Sequence, residues 1–209
     1  MMKVLEPKIS SLVDYSLEDA YRDNCYNNMI FTQSVLKDIN IVNETIDSCI
    51  FRGIDFGNID FSNVDFIDVI FEECDLSNKK FDGNLLQRVK FINCKMVGVS
   101  YIDSSIKDVC FDLCSARYIN FAGARIIRMV VSESDFSEGC FQEVSVKDLE
   151  FNSVNLSGVE IFKTKLYGVD ISTCQIEKMV VDLESLEGII IDRFQAVYLV
   201  GMLGVKIKE

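Results

Sequence analysis

Hydrophobic residues recur along most of this chain at intervals of five. Stepping by five from Phe31 to Ile191 meets an apolar residue every time, and 13 of the 15 phenylalanines fall in this frame. A helix repeats its faces every 3.6 residues and a strand every 2. A period of five therefore predicts neither an amphipathic helix nor an ordinary strand, but a unit that turns once per five residues.

The residues around each apolar centre carry a bias of their own. The position two before a centre is mostly small or β-branched, whereas the two positions after it are mostly polar or glycine, as in Ser62-Asn63 and Asp82-Gly83. Asn and Gly tolerate the unusual backbone angles of tight turns. Each pentad therefore describes one short side of a coil, followed by a corner.

This pattern resembles the pentapeptide-repeat family, whose consensus is a small residue, Asp or Asn, Leu or Phe, a polar residue, and then Gly or a polar residue. The resemblance covers residues 31 to 191. It implies an all-β solenoid, a right-handed quadrilateral β-helix in which four pentapeptides form one square coil of 20 residues. About eight coils would stack at about 4.8 Å each into a rod of roughly 38 Å, followed by a short C-terminal helix.

A coil of 20 residues puts every fourth centre on the same face, and most aromatic residues then fall into two of the four columns. We expect two ladders of stacked rings in the core, because aromatic rings in register gain contact beyond simple burial. The first ladder contains Phe31, Phe51, Phe71, Phe91 and Phe111. The second, on the opposite face, contains Phe61, Phe81, Tyr101, Phe121 and Phe141.

Residues 1 to 30 lack the repeat and are predicted to cap the first coil, with a short helix starting after the N-cap residue Ser16. An outward column beside the first ladder is apolar in several coils. It contains Ile30, Ile50, Ile70, Cys110 and Val130. Exposed apolar stripes usually have something lying on them. We expect the N-terminal segment to cover this stripe; the alternative is a strip that binds a partner.

Residues 192 to 209 also leave the repeat. Asp192 is placed to cap a helix that runs to about Leu203, Gly204 to end it, and Val205 to Ile207 to form a short strand. The helix is apolar nearly all round, so we expect one side to close the last coil and the other to meet a second copy of the chain. The predicted dimer interface contains Phe194, Val197, Tyr198, Val200, Leu203, Val205 and Ile207.

The chain has no histidine and no Gly-rich phosphate loop after a strand, which argues against triad catalysis, histidine metal sites and nucleotide chemistry. We therefore expect no enzyme activity, no cofactor and no metal. Cys74, Cys94 and Cys114 recur at equivalent inward positions, where small buried thiols fit better than a metal column or disulfides.

The formal charge is −12, from 33 acidic and 21 basic residues. This excess argues against direct binding to nucleic acid or anionic lipid, and it suits a partner with a basic groove. No signal-peptide pattern or long apolar run is present, so we expect a cytoplasmic location without membrane insertion. The candidate partner-binding acidic face contains Glu72, Glu73, Asp112, Glu133, Glu150 and Asp170. Aspartates just before the centres, such as Asp55 and Asp60, are expected to serve the corners instead.

The C-terminal segment carries a narrower resemblance, to the quinolone-resistance (Qnr-type) members of the pentapeptide-repeat family. The resemblance rests on Gln195-Ala196, Leu203-Gly204 and the predicted terminal strand. That resemblance implies a homodimer joined at this end and a DNA-mimicking rod that binds DNA gyrase or topoisomerase IV and lowers quinolone susceptibility. The alternative is a structural or scaffolding repeat protein without affinity for topoisomerases.

Overall fold

A computed structural model of the chain describes residues 2–32, 40–202, 204–206 and 208, so the predicted centre Leu36 and the interface residues Leu203 and Ile207 lie outside the described residues. The strands are β1 (Val13–Asp14), β2 (Met29–Thr32), β3 (Thr45–Arg52), β4 (Asp65–Glu72), β5 (Leu85–Ile92), β6 (Ser105–Asp112), β7 (Arg125–Ser132), β8 (Cys140–Gln142), β9 (Ser145–Asn152), β10 (Glu160–Phe162) and β11 (Val180–Val181). The helices are α1 (Leu17–Asp23), α2 (Leu183–Leu186) and α3 (Arg193–Met202).

All strand pairing is parallel, in an eight-stranded sheet of order β1-β2-β3-β4-β5-β6-β7-β9 and a three-stranded sheet of order β11-β10-β8. From β2 onward each residue pairs with the residue 20 positions later, as in Phe51 with Phe71 and Ile161 with Val181. Single bridges with the same spacing, such as Asp75 with Lys95 and Lys80 with Ser100, link the other sides. The predicted fold is confirmed: the chain is a right-handed quadrilateral β-helix of about eight coils.

The corners fall at the fifth residue of each pentad, two positions after an apolar centre. This residue has a positive φ at almost every corner, whether it is glycine, as at Gly83 (φ +70°), or not, as at Asn63 (φ +57°) and Arg88 (φ +55°). The left-handed region is unfavourable for residues with a Cβ. The corners therefore persist because stacking imposes them, and the eight-residue strands β3 to β7 and β9 each bend around one of them.

The core is a continuous column of apolar side chains along the axis. The rings of the first ladder stack, with centroids 5.1 Å apart for Phe51 and Phe71 and again for Phe71 and Phe91. On the opposite face Tyr101 lies between Phe81 and Phe121, at 5.0 and 5.2 Å. These distances are close to the strand spacing of about 4.8 Å, so the coil rise sets the ring contacts.

The N-terminal region begins with an extended segment, residues 2–8, that we call the strap. It runs along the outside of the large sheet, and Val4 is buried there. After β1, helix α1 starts behind Ser16, whose hydroxyl accepts from the Asp19 N–H at 3.0 Å. The predicted helix and its cap are confirmed.

The C-terminal end departs from the repeat earlier than the apolar frame indicates. The single helical turn α2, capped by Asp182, replaces one side of the last coil, although Leu186 still packs against the core. Helix α3 begins behind Asp192, as predicted, because that carboxylate accepts from the Gln195 N–H at 2.8 Å. The predicted terminal strand is wrong as far as it is described, since Val205 and Lys206 are not in a strand. None of the helices in the described ranges is both long enough and apolar enough to cross a membrane.

Candidate interaction surface

The six acidic residues of the predicted binding face do not form one cluster. Glu72 and Asp112 lie in one column, two coils apart, and Glu73 and Glu133 occupy left-handed corners beside it. Glu73 and Glu133 are exposed and Asp112 is half-buried. Among the described residues, none of these three forms an ion pair, so their charges are free to meet a partner.

The other three candidates are engaged within the molecule. Glu72 pairs with Nε of Arg52 at 2.6 Å. Glu150 accepts hydrogen bonds from the Met2 N–H and from Nδ2 of Asn152. Burial acts to raise the pKa of this carboxyl, but the hydrogen bonds have the larger effect, so its pKa lies below the ordinary value. Asp170 accepts from the Ser172 N–H at 2.8 Å, and hydrogen bonding with the Ser172 hydroxyl and N–H lowers the pKa of its carboxyl.

The aspartates directly before the centres act as the sequence predicted. The carboxylates of Asp55, Asp60, Asp75 and Asp135 each accept from the backbone N–H two residues ahead, at 2.9–3.0 Å. This local bond holds the turn that follows each of them. Asp65 differs, because its Oδ1 accepts from the Leu85 N–H of the next coil at 3.2 Å.

Two arginine–aspartate pairs on the large sheet were not predicted. Nε and Nη2 of Arg88 bond Oδ1 and Oδ2 of Asp68 at 2.5 and 2.6 Å, and Arg128 bonds Asp108 in the same way at 2.6 Å for both contacts. Burial acts to raise the pKa of both aspartates, but the guanidinium hydrogen bonds and the strap amides lower it below the ordinary value. The 20-residue spacing of the four residues was the sequence signal that could have revealed these pairs.

The strap lies over the same column of pairs. The Lys8 N–H donates to Oδ1 of Asp68 at 2.7 Å, the Leu5 N–H donates to Oδ1 of Asp108 at 3.1 Å, and the Met2 N–H reaches Glu150. Six residues of extended chain span about 20 Å, close to the roughly 19 Å of four coils between the first and last acceptors. This placement agrees with the expectation that N-terminal residues cover the outer stripe, in which Val130 is only 8% exposed.

The core also contains cysteine thiols and a tyrosine hydroxyl. All eight cysteines are free thiols, and burial raises the pKa of Cys49 to about 12. In the part of the chain that the structure describes, no group of His, Cys, Asp or Glu side chains is arranged to hold a metal ion. The Tyr101 hydroxyl is fully buried without a hydrogen-bond partner among those residues, and burial raises its pKa well above the ordinary value.

Helix α3 has one side packed on the last coil and an outer side that carries the most exposed of the predicted dimer residues. Gln195 and Leu199 are buried against the last coil, where Nε2 of Gln195 donates to the carbonyl oxygens of Ile171 and Cys174, both at 2.8 Å. On the other side Phe194 is 70% exposed and Val197 53%. Of the remaining described interface residues, Val205 is exposed, whereas Tyr198 and Val200 are half-buried.

Two family models match the repeat. One, described as a pentapeptide repeat region, matches residues 64–134, and the other, described as eight copies of the pentapeptide repeat, matches residues 47–78. No curated protein matches the chain.

Several solved structures match the chain. A trypsin-treated variant of QnrB1, a plasmid-mediated fluoroquinolone resistance protein, is 20% identical, with 87% of this chain and 89% of that chain covered and a TM-score of 0.50. Full-length QnrB1 is 19% identical over 86% and 89%, with a TM-score of 0.45. HetL, a pentapeptide repeat protein involved in heterocyst differentiation regulation from the cyanobacterium Nostoc, is 11% identical over 73% and 89%, with a TM-score of 0.26. The 20-residue coils are those of a pentapeptide-repeat fold, the repeat models match residues 47–134 of the chain, and the fold resembles that of the Qnr-type protein QnrB1.

Proposed function

We propose that this protein is a DNA-mimicking binder of type II topoisomerases, which docks in the DNA-binding groove of DNA gyrase or topoisomerase IV and lowers susceptibility to quinolones. The observation that carries the proposal is an acidic exterior on an unbroken rod. The charge of −12 is spread over coils that keep one 20-residue register from β2 to β11. The fold of QnrB1, a plasmid-mediated fluoroquinolone resistance protein, supports this choice of partner only by likeness.

The physical basis is electrostatic complementarity. A groove that binds DNA is lined with basic groups that neutralise phosphates, and a rigid row of carboxylates competes for the same groups. A net charge of −12 over a rod of roughly 38 Å gives roughly one negative charge per 3 Å, compared with about one per 1.7 Å in duplex DNA. The mimic therefore has about half the axial charge density of DNA, and we expect its binding to weaken steeply as salt rises.

The free carboxylates of Glu73 and Glu133 are the best sites for a test, since both are exposed and neither forms an ion pair within the described ranges. Replacing both by glutamine removes two charges while keeping the corner side chains similar in size. A matched control replaces Glu18 and Glu160, which are also exposed but lie on α1 and on the opposite face.

The test is supercoiling by gyrase and decatenation by topoisomerase IV, with and without a fluoroquinolone, at up to micromolar protein. We expect altered activity or relief from the drug, a weaker effect for the Glu73/Glu133 variant, and an unchanged effect for the control. Unchanged supercoiling and decatenation together with no relief from the drug would refute the proposal and leave a scaffolding role for the solenoid.

A further inference from the structure

One column of the large sheet alternates acidic and basic residues from coil to coil. It lies at the corner around which the long strands bend, and we call it the acid–base column. In chain order it contains Ser48, Asp68, Arg88, Asp108, Arg128, Asp148 and Gly168. Every one of its residues from Ser48 to Gly168 has a positive φ, so the backbone conformation repeats even where the residue type changes.

Within this column each arginine serves the aspartate one coil before it. Arg88 clamps Asp68 and Arg128 clamps Asp108, each through two parallel N–H···O contacts. Asp148 is the third aspartate in the series, and the position that should supply its arginine is occupied by Gly168. Asp148 is exposed and, across residues 40–202, which are described without a gap, it forms no ion pair or side-chain hydrogen bond. Arg128, on its other side, directs Nε and Nη2 to Asp108.

The sheet also stops at Asp148. Strand β9 is the last of the eight-stranded sheet, and no backbone hydrogen bond joins it to residues 165–172 in this continuously described part of the chain. The adjoining sides of the same coil do continue, through the bridge from Asn155 to Gln175 and through β10 and β11. Residues 165–168 instead stand away from β9 and leave a cleft of about 660 Å³.

The cleft has the chemistry of a site for a strand. Its floor includes Leu149 and Phe151, and its wall carries the carboxylates of Asp148, Glu150 and Asp170. Among the described residues that line the cleft, Lys165 carries the only cationic side chain, and its Nζ lies 3.6 Å from Glu184, which offsets its charge. Open sheet edges accept added strands through main-chain hydrogen bonds, while side-chain pockets confer the specificity.

We propose that the β9 edge binds a segment of a partner protein, which adds a strand to the sheet, bends at its arginine as the long strands do at Arg88 and Arg128, and places that arginine on Asp148. The bound arginine occupies the place that Arg88 and Arg128 take in the earlier coils and completes the third pair of the series. A bidentate guanidinium is required, because lysine presents a point charge that cannot form both parallel contacts.

The first test uses synthetic peptides and the full chain, with no topoisomerase present, so that it fails or succeeds independently of the function proposed above. The probe is a fluorescently labelled seven-residue peptide of alternating threonine and valine with arginine at its centre. Two control peptides carry lysine or citrulline at that position. By fluorescence anisotropy we expect the arginine peptide to bind at least about tenfold more tightly than either control.

The second test changes the protein. Asp148→Asn should weaken the arginine peptide about tenfold and leave the citrulline peptide unaffected, whereas Glu133→Gln, an equally exposed acid outside the cleft, should alter neither. Gly168→Arg should abolish peptide binding by supplying the missing guanidinium in the same chain. The space beside Gly168 is open, and Arg88 and Arg128 already occupy the same left-handed conformation.

Hydrogen exchange of the complex separates strand addition from simple charge pairing, because an added strand should slow exchange of β9 amides. Equal binding of the arginine and citrulline peptides, or equal binding by wild type and Asp148→Asn, would overturn the proposal. Retention of full affinity in Gly168→Arg, or unchanged exchange at β9 in the saturated complex, would contradict it as well.

Discussion

At the scale of single residues, the aspartates of this chain fall into three groups. Their position in the pentad distinguishes the first group from the other two, but it does not distinguish those two from each other. Those directly before a centre, such as Asp55 and Asp75, hold a local turn. Those at the corners of the large sheet, Asp68 and Asp108, bind arginines of the next coil. Asp148 occupies the same corner, and the described residues include no such partner for it. The hydrogen bond from an aspartate to the amide two residues ahead can be predicted from the sequence. An aspartate–arginine pair between coils can be predicted only once the 20-residue stacking is known.

The buried hydroxyl of Tyr101 gives a prediction for the core. The ring stacks in a column of phenylalanines, but the hydroxyl finds no partner within the described residues. A buried, unpaired polar group costs about 1–3 kcal/mol. We therefore expect Tyr101→Phe to raise the free energy of unfolding by about 1 kcal/mol in urea denaturation. The reverse change on the same ladder, Phe81→Tyr, should lower it, and a destabilised Tyr101→Phe variant would show that the hydroxyl is in fact satisfied.

The Asp108–Arg128 pair predicts how stability depends on pH. The folded-state pKa of Asp108 lies below its ordinary value of 3.8, so the pair stabilises the folded state above that pH and the contribution is lost as the pH falls below about 4. Because Asp108 is fully buried but Arg128 is 28% exposed, we expect Asp108→Asn to cost about 2–3 kcal/mol at pH 7.

Urea unfolding at pH 7 and pH 3 measures this effect. The difference in unfolding free energy between wild type and Asp108→Asn should shrink on acidification, whereas Glu133→Gln should differ little from wild type at either pH. A difference for Asp108→Asn that stays constant from pH 7 to pH 3 would rule out the arginine pair as its source.

At the scale of elements, the strap leads to a prediction for the N-terminus. Its amides bond carboxylates of the acid–base column, and Glu6 pairs with Lys90. Deleting residues 2–10 should lower stability and increase binding of a dye for apolar surfaces, because it removes donors from Asp68 and Asp108 and uncovers the stripe. The exposed side chain of Leu5 offers a control, since Leu5→Ala keeps the backbone amide.

Hydrogen exchange supplies a second measurement on the intact chain. The amides of Leu5 and Lys8, which donate to aspartates, should exchange more slowly than the amide of Lys3, for which the structure shows no such bond. Equal rates at the three positions, or a deletion that changes neither stability nor dye binding, would mean that the strap does not hold to the sheet.

The repeating elements were predictable from the sequence, and the elements at both ends only in part. The apolar frame gave the coil length and the two ring ladders, because the side chains that stack also define the period. The same frame continues through Val181, Leu186 and Ile191, yet α2 replaces a side there, since a helical turn can bury Leu186 as well as a pentapeptide can. The strap contacts could not be predicted for another reason. Their donors are backbone amides, which every residue except proline has, so the residue type does not indicate them.

At the scale of the whole molecule, stability is distributed over neighbouring coils, and this makes an open end costly. In a solenoid each repeat contacts only its neighbours, so a terminal coil needs a cover. Helix α3 provides one through Gln195 and Leu199. Its outer side keeps Phe194 and Val197 largely exposed, so the cover itself presents an apolar surface at the tip of the rod.

That exposed tip carries the prediction of a two-fold dimer. Two copies joined through α3 would bury Phe194, Val197 and Val205 against each other and produce a rod about twice as long as one subunit. We expect sedimentation velocity to show a dimer, and the Phe194→Glu/Val197→Glu variant to sediment as a folded monomer, because two charges would then face two charges across the axis. Tyr118→Glu, on the side of the rod and 50% exposed, should remain dimeric. A wild-type protein that sediments as a monomer at tens of micromolar would contradict the dimer, and the apolar tip would then need another partner.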